Sequence, residues 1–182
     1  MMKKESDFLY IFRLAAVLLI ITSLVAAALA GVNSITAPAI ARLTAEKTQM
    51  AIEAVLPGGG EAIDFAPADL VSKVYKGDNG YAVQVTPGGF DNTITMMVGV
   101  DFEGKVLGID IIKHTETAGL GAVADAETPA GQNFRGQFVG TSGSVAVTKD
   151  GGAMDSITGA TITSRAICDG VNAALACAAT LG

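Results

Sequence analysis

The chain has 182 residues; half are hydrophobic, 16% are charged and none is Trp, a balance that points to a membrane segment attached to a folded domain. The net charge is −6, and without its first 13 residues the chain carries 9 basic and 16 acidic side chains, a balance of −7. An acidic domain has no electrostatic reason to hold a phosphate backbone, so nucleic acid is excluded as a partner. One His and two Cys exclude a zinc or iron–sulfur site built within the chain.

Residues 14–35, "LAAVLLIITSLVAAALAGVNSI", contain no charge. As a helix this run would span roughly 33 Å, enough for the hydrocarbon core of a bilayer. Lys3, Lys4 and Arg13 flank it on the N-terminal side, so residues 1–13 are expected in the cytoplasm and the remainder outside it, in a single-pass protein of the cell membrane. A cleaved signal peptide is the competing reading, because Ala28–Ala30 followed by Gly31 resembles a small-residue cleavage site. The apolar run is longer than a typical signal core, which favours a retained anchor.

Residues 36–56 read as a juxtamembrane helix, with Pro38 in its first turn and "PGGG" at 57–60 ending it. Residues 57–182 form the expected extracytoplasmic domain. It opens with short alternating runs rich in Val, Ile, Thr and Tyr: "SKVYKG", "YAVQVTPGG", "TITMMVGVDFEGKVLGIDIIKH" and "GSVAVTKDGG". They predict an antiparallel sheet, with "VGVDFEGKVLGIDII" as a hairpin turning at Phe102–Lys105. The chain closes on a helical pattern in "ITSRAICDGVNAALACAATL", so the fold class is α+β. Cys168 and Cys177 sit nine residues apart on that helix, on opposite faces and about 13 Å apart along the axis, too far to bridge. They are expected to be free, packed residues.

"DSITGATITS", Asp155–Ser164, opens the last helix. Its hydroxyls at Thr158, Thr161, Thr163 or Ser164 can cap the helix, with Gly159 permitting the tight approach. The same helix start attracts phosphate, and a hydroxyl there can contact a phosphate or carry one as an ester. Residue chemistry does not separate these readings. "GLGAVA" at 119–124 fits a dinucleotide-binding pattern by chance, since no strand directly precedes it and "AETPAGQ" breaks the next segment early. His114 reads as a hydrogen-bonded structural residue, and Asp125 and Glu127 as a solvated face. No catalytic or metal-binding set is evident.

"DSITGATITS" resembles the Asp-x-x-Ser/Thr-Gly-Ala-Thr flavinylation signature of the FMN-binding domain shared by the G subunit of Rnf complexes and the C subunit of sodium-pumping NADH:quinone oxidoreductases. "HTETAGLG", His114–Gly121, resembles that family's Glu-Thr-Pro-Gly-Leu-Gly segment, with Ala118 in place of the usual Pro. The anchor followed by "VNSITAPAIA" and the short length favour the G-subunit branch. The resemblance implies covalent FMN, joined through its phosphate to Thr161. It implies that Thr158, Gly159, Ala160, Glu116, Thr117, Leu120 and Gly121 lie around the cofactor, and that Asp155 and Ser164 serve recognition by a flavin transferase. The implied function is a membrane-anchored electron-transfer subunit, not an enzyme alone, partnered by the other membrane subunits of an ion-translocating ferredoxin:NAD oxidoreductase. A C-type subunit of the quinone oxidoreductase, or a flavin-binding sensory module of another reductase, is the alternative.

Overall fold

The computed structural model describes residues 2–66 and 68–182; the side chains of residues 2–7, Lys3 and Lys4 among them, lie outside the described part. The chain divides into two units, the residues up to Ala45 and Glu46–Gly182.

The first unit consists of most of helix α1, Met2–Val55. Its apolar stretch has a mean hydropathy of 2.5 and none of it is packed against protein, which fits a single membrane span. Three of its hydroxyl side chains turn back onto their own helix: Thr22 Oγ1 donates to Leu18 O at 2.9 Å, Ser34 Oγ to Gly31 O at 2.8 Å and Thr36 Oγ1 to Val32 O at 3.0 Å, which satisfies these groups within the helix. Pro38 does not start a second helix as expected; it lies inside α1. Proline lacks an N–H, so the helix forgoes one bond to the Ser34 carbonyl, and the helix-forming residues on either side carry it through.

In the second unit a five-stranded antiparallel meander runs in sequence order: β1 Glu61–Ile63, β2 Val71–Lys76, β3 Gly80–Val85, β4 Thr95–Asp101 and β5 Val106–Lys113. The β4–β5 hairpin turns through residues 102–105 as the sequence predicts, and the Asp101 carboxylate accepts from Lys105 N at 2.7 Å to close it. β4 is buried on both faces. Met96, Val98 and Val100 join the core beneath helix α3, Thr161–Leu181, together with Ile167, Val171 and Ala174. On the other face Met97 and Ala82 meet Ala51, Ile52, Val55 and Leu56 from the end of α1. The last turns of α1 therefore belong to the domain core, and the folded unit begins at Glu46.

Helix α2, Pro129–Gly136, is capped by Thr128 and lies near β5. The run 143–152, read from sequence as strand-like, forms no named strand. Its alternation is real, since Val145 and Val147 are buried, yet the backbone partner is a helix side chain. Val145 N donates to Asn172 Oδ1 at 2.8 Å and Asn172 Nδ2 donates back to Val145 O at 2.9 Å. One amide thus does the work of a neighbouring strand. Both Cys168 and Cys177 are free and buried in the core that α3 forms with its neighbours, as expected.

Candidate functional site

The start of α3 is uncapped by any side chain. Ala160 stands at the N-cap, and the helix-cap role open to the threonines goes to none of them. Ser164 is fully buried and works inside the turn. Its Oγ accepts from Ile157 N at 3.0 Å and donates to Ala160 O at 3.0 Å. Gly159 takes φ +76°, a conformation a side chain would strain, and this reversal delivers Thr161 to the first helical position. The helix N-terminus is thereby left open toward a cleft of about 280 Å³.

Glu116, Thr117, Leu120 and Gly121 from the loop after β5 line this cleft together with Gly159, Ala160 and Thr161. Two segments far apart in sequence are joined here by a buried bond: Thr163 Oγ1 donates to Glu116 Oε2 at 2.5 Å. The other carboxylate oxygen of Glu116 accepts from Phe90 N at 2.8 Å. A Cβ on Gly121 would overlap both Glu116 Oε2 and Thr163 Oγ1, so only glycine allows the loop to approach this closely. Thr117 O accepts from Leu120 N at 3.1 Å and Ala122 N at 3.2 Å, which closes the turn with Ala118 where the family pattern has proline. Gly121–Ala124 is a single 3₁₀ turn with no long helix behind it, unlike a dinucleotide-binding βα unit.

Thr158 and Asp155 stand apart. They line a neighbouring cleft of about 510 Å³ with Gln137, Asn133 and Phe134. The Asp155 backbone is clasped by Gln137, whose Oε1 accepts from Asp155 N at 2.7 Å and whose Nε2 donates to Asp155 O at 3.3 Å, leaving the exposed carboxylate outside that pairing.

Two lining residues, Phe90 and Lys149, lie outside both motifs and carry no signal for the site in the sequence; Ile162 and Thr163, inside the second motif, line the cleft as well. Lys149 matters most, because its Nζ donates to Thr161 Oγ1 at 2.9 Å. No local spacing marks this contact; the "TKDGG" turn reaches the motif only through the fold. Phe90, Leu120 and Ile162 leave 67%, 43% and 49% of their surface exposed, an apolar rim around a polar floor. A hydroxyl, an ammonium and an open helix N-terminus suit a phosphate, and the apolar rim suits a flat ring, so these residues fit FMN.

Below the loop, His114 Nδ1 accepts from Glu116 N at 3.1 Å, while Nε2 faces Asp125 Oδ2 at 3.5 Å. Glu127 pairs with Arg135 at 2.8 Å, and Arg135 also donates to Ala124 O and Ala126 O. Asp125 and Glu127, with 43% and 77% of their side-chain surface exposed, form the solvated face expected from sequence, and each also finds a partner there, His114 and Arg135. Burial pushes the carboxyl of nearby Asp110 above the usual carboxylate range, with the charge of Asp125 adding to the effect.

Residues 89–176 match the FMN-binding domain family. The G subunit of the Na(+)-translocating ferredoxin:NAD(+) oxidoreductase complex of Acetobacterium woodii is 32% identical to the chain, over 93% of the chain and 92% of the relative. The chain belongs to the G-subunit family of ion-translocating oxidoreductase complexes. The corresponding G subunit of the ion-translocating oxidoreductase complex of Methanosarcina acetivorans is likewise 32% identical, over 93% of the chain and 95% of that protein. The Yersinia pestis counterpart is 46% identical over 52% of the chain and 47% of its own length. The family match spans both the Phe90 side and the α3 side of the cleft, and so takes in every residue that lines it.

Proposed function

We propose that the chain is the FMN-carrying electron-transfer subunit of an ion-translocating ferredoxin:NAD oxidoreductase complex, with FMN held as a phosphoester on Thr161. The observation that carries this reading is the convergence of the two flavin-family segments on one cleft, with the Thr161 hydroxyl at the mouth of an uncapped helix and Lys149 beside it. When bound, FMN supplies one- and two-electron redox chemistry; the protein's part is to hold and orient it. Thr161 would anchor the phosphate and the α3 N-terminus would face its charge. Glu116, fixed by Thr163 and Phe90 N, would keep the loop at Thr117–Gly121 against the cofactor. Phe90, Leu120 and Ile162 would give the ring its apolar contact. Thr158, in the adjoining cleft, would act through the shape of the turn.

Thr161, once esterified, cannot release its cofactor, which suits a fixed relay between other subunits better than a diffusing coenzyme. The single apolar span has no charge within residues 14–35, so ion passage would lie in the partner subunits. Lys3, Lys4 and Arg13 favour a cytoplasmic N-terminus with the flavin domain outside. Asp155 would be presented to the flavin transferase from the exposed side of the turn, with Ser164 acting from within by setting the turn's conformation.

Intact-mass measurement on the full chain, co-produced with a flavin transferase, tests the attachment. The expected result is a gain of one FMN less water, located on the peptide that contains Thr161. Thr161→Ala should show no gain and Thr161→Ser should restore it. A full mass gain in Thr161→Ala would place the ester elsewhere and overturn the assignment.

A further inference from the structure

We propose that Lys149 is the cation that assists ester formation at Thr161, and that the Asp150–Arg165 pair is the device that aims it; the inference rests on the assignment of Thr161 as the flavin acceptor. Lys149 lies in the short 3₁₀ turn Thr148–Asp150, held by backbone bonds on both sides: Thr148 N donates to Met154 O at 2.9 Å and Met154 N to Ala146 O at 3.0 Å. The turn is also tied to α3. Arg165 Nε donates to Asp150 Oδ2 at 2.6 Å and its Nη2 to Asp150 Oδ1 at 2.6 Å, a two-pronged pair. Arg165 sits one helical turn beyond Thr161, on the same side of the helix. Successive residues of the turn therefore engage successive rungs of α3, Lys149 on Thr161 and Asp150 on Arg165.

The pairing has a second consequence. Asp150 is the acidic group adjacent to Lys149, and left alone it would compete with Thr161 for the ammonium. Both of its oxygens are occupied by Arg165, and that guanidinium holds its carboxyl below the usual carboxylate range. Lys149 is left to donate to the Thr161 hydroxyl at 2.9 Å. After Lys113 it is also the one lysine in the sequence, so no other ammonium of the domain's C-terminal half is available for the task.

The step would be transfer of a flavin-bearing phosphoryl group from FAD. A bond forms between Thr161 Oγ1 and the phosphorus that bears the riboflavin portion, the pyrophosphate P–O bond breaks, and AMP departs with the bonding pair. The hydroxyl proton passes to the transferase or to solvent, and no redox change occurs. Negative charge accumulates on the phosphoryl oxygens beside Oγ1. An ammonium already hydrogen-bonded to that oxygen stands where the charge develops, without needing to move. After transfer the same ammonium faces the remaining charge of the phosphodiester. Lys149 thus belongs to the acceptor's own contribution, separate from whatever the transferase supplies.

The test follows flavinylation of the full chain in detergent by intact mass over time, with flavin transferase, FAD and Mg²⁺. Wild type, Lys149→Gln and Lys149→Arg are compared, and melting curves of the unmodified proteins are recorded alongside. Lys149 is exposed, so both variants should melt as wild type does. Lys149→Gln should react about tenfold or more slowly, the effect of one lost charge-assisted hydrogen bond. Lys149→Arg should recover much of the rate, which a merely structural contact would not require. A Gln variant as fast as wild type would overturn the role of Lys149 while leaving Thr161 as the acceptor. An Arg variant as slow as the Gln variant would overturn the role of charge. Absence of any mass gain at Thr161 in wild type would overturn the assignment on which the inference rests.

Discussion

Thr163 donates a 2.5 Å hydrogen bond to Glu116 across 47 residues of sequence, and the bond is buried from both sides. It joins the first turn of α3 to the loop after β5, and so fixes the width of the cleft that Thr161 faces. The Glu116 carboxylate also receives Phe90 N, which adds the β3–β4 connection to the same node. Three separate stretches of chain thus meet at one side chain.

Removing this bond has a defined consequence. Thr163→Val preserves shape but leaves Glu116 Oε2 buried without its donor, and should lower stability by about 1.5–3 kcal/mol, the range for a hydrogen bond to a charged group. Glu116→Ala strips partners from both Thr163 and Phe90 N and should cost more. Thermal melting of the variants checks the order. Thr161 takes no part in this bond, so Thr163→Val should still gain FMN at Thr161.

Gly121 provides a separate test of the same close approach. Its Cβ would overlap Glu116 Oε2 and Thr163 Oγ1, so Gly121→Ala must push the loop away from α3. The expected loss is about 1–3 kcal/mol, the usual effect of overpacking a filled site. Gly136→Ala is the control: it lies in helix α2 with open space around it, and alanine there should be neutral or stabilising by up to about 1 kcal/mol. Melting midpoints of the two variants should therefore move apart.

The elements that could be read in the sequence are those whose signal is local. The uncharged span at residues 14–35, the Phe102–Lys105 turn and the last helix each declare themselves by period or punctuation. The candidate site was legible through its motifs, which paired Thr161 with the loop at Glu116–Gly121, and both line one cleft. The illegible parts depend on contacts between distant residues. Val145 looks like a strand residue because it alternates with Val147, but Asn172, 27 positions later, replaces the missing strand. Lys149 carries no pattern of its own and reaches Thr161 only through the fold, from a turn that also pairs Asp150 with Arg165. Pro38 carries a signal for a helix start, which the helical continuity of its neighbours overrides.

Asp110 should make the domain respond to pH. Its carboxyl has an ordinary value of 3.8 and is raised in the folded protein, first by burial and then by the charge of Asp125. Between 3.8 and the raised value the folded state binds more protons than the unfolded state, so stability falls as pH rises through that window. Above it the penalty is fully present. Asp110→Asn should therefore raise the melting temperature at pH 7, and the gain should shrink on acidification and vanish below about pH 3.8. An advantage that was constant with pH would show that titration of Asp110 is not its source.

The two cysteines give a readout of whether the packing against α3 is intact. Burial pushes the Cys168 thiol up to about 11, with the charges of Asp169 and Asp150 adding to the effect, and burial alone raises Cys177. Thiolate is the reactive form, so at about pH 8 both are held in the inert state as well as being covered. Native protein treated with a thiol-specific alkylating reagent should take up almost none, and denatured protein should take up two equivalents. Because the 143–152 segment is held to α3 through Asn172, Asn172→Ala should expose Cys168 ahead of Cys177. Peptide mapping after brief labelling distinguishes the two. Equal labelling of both cysteines in that variant would mean that the helix opens as one piece, and that Asn172 holds more than its own segment.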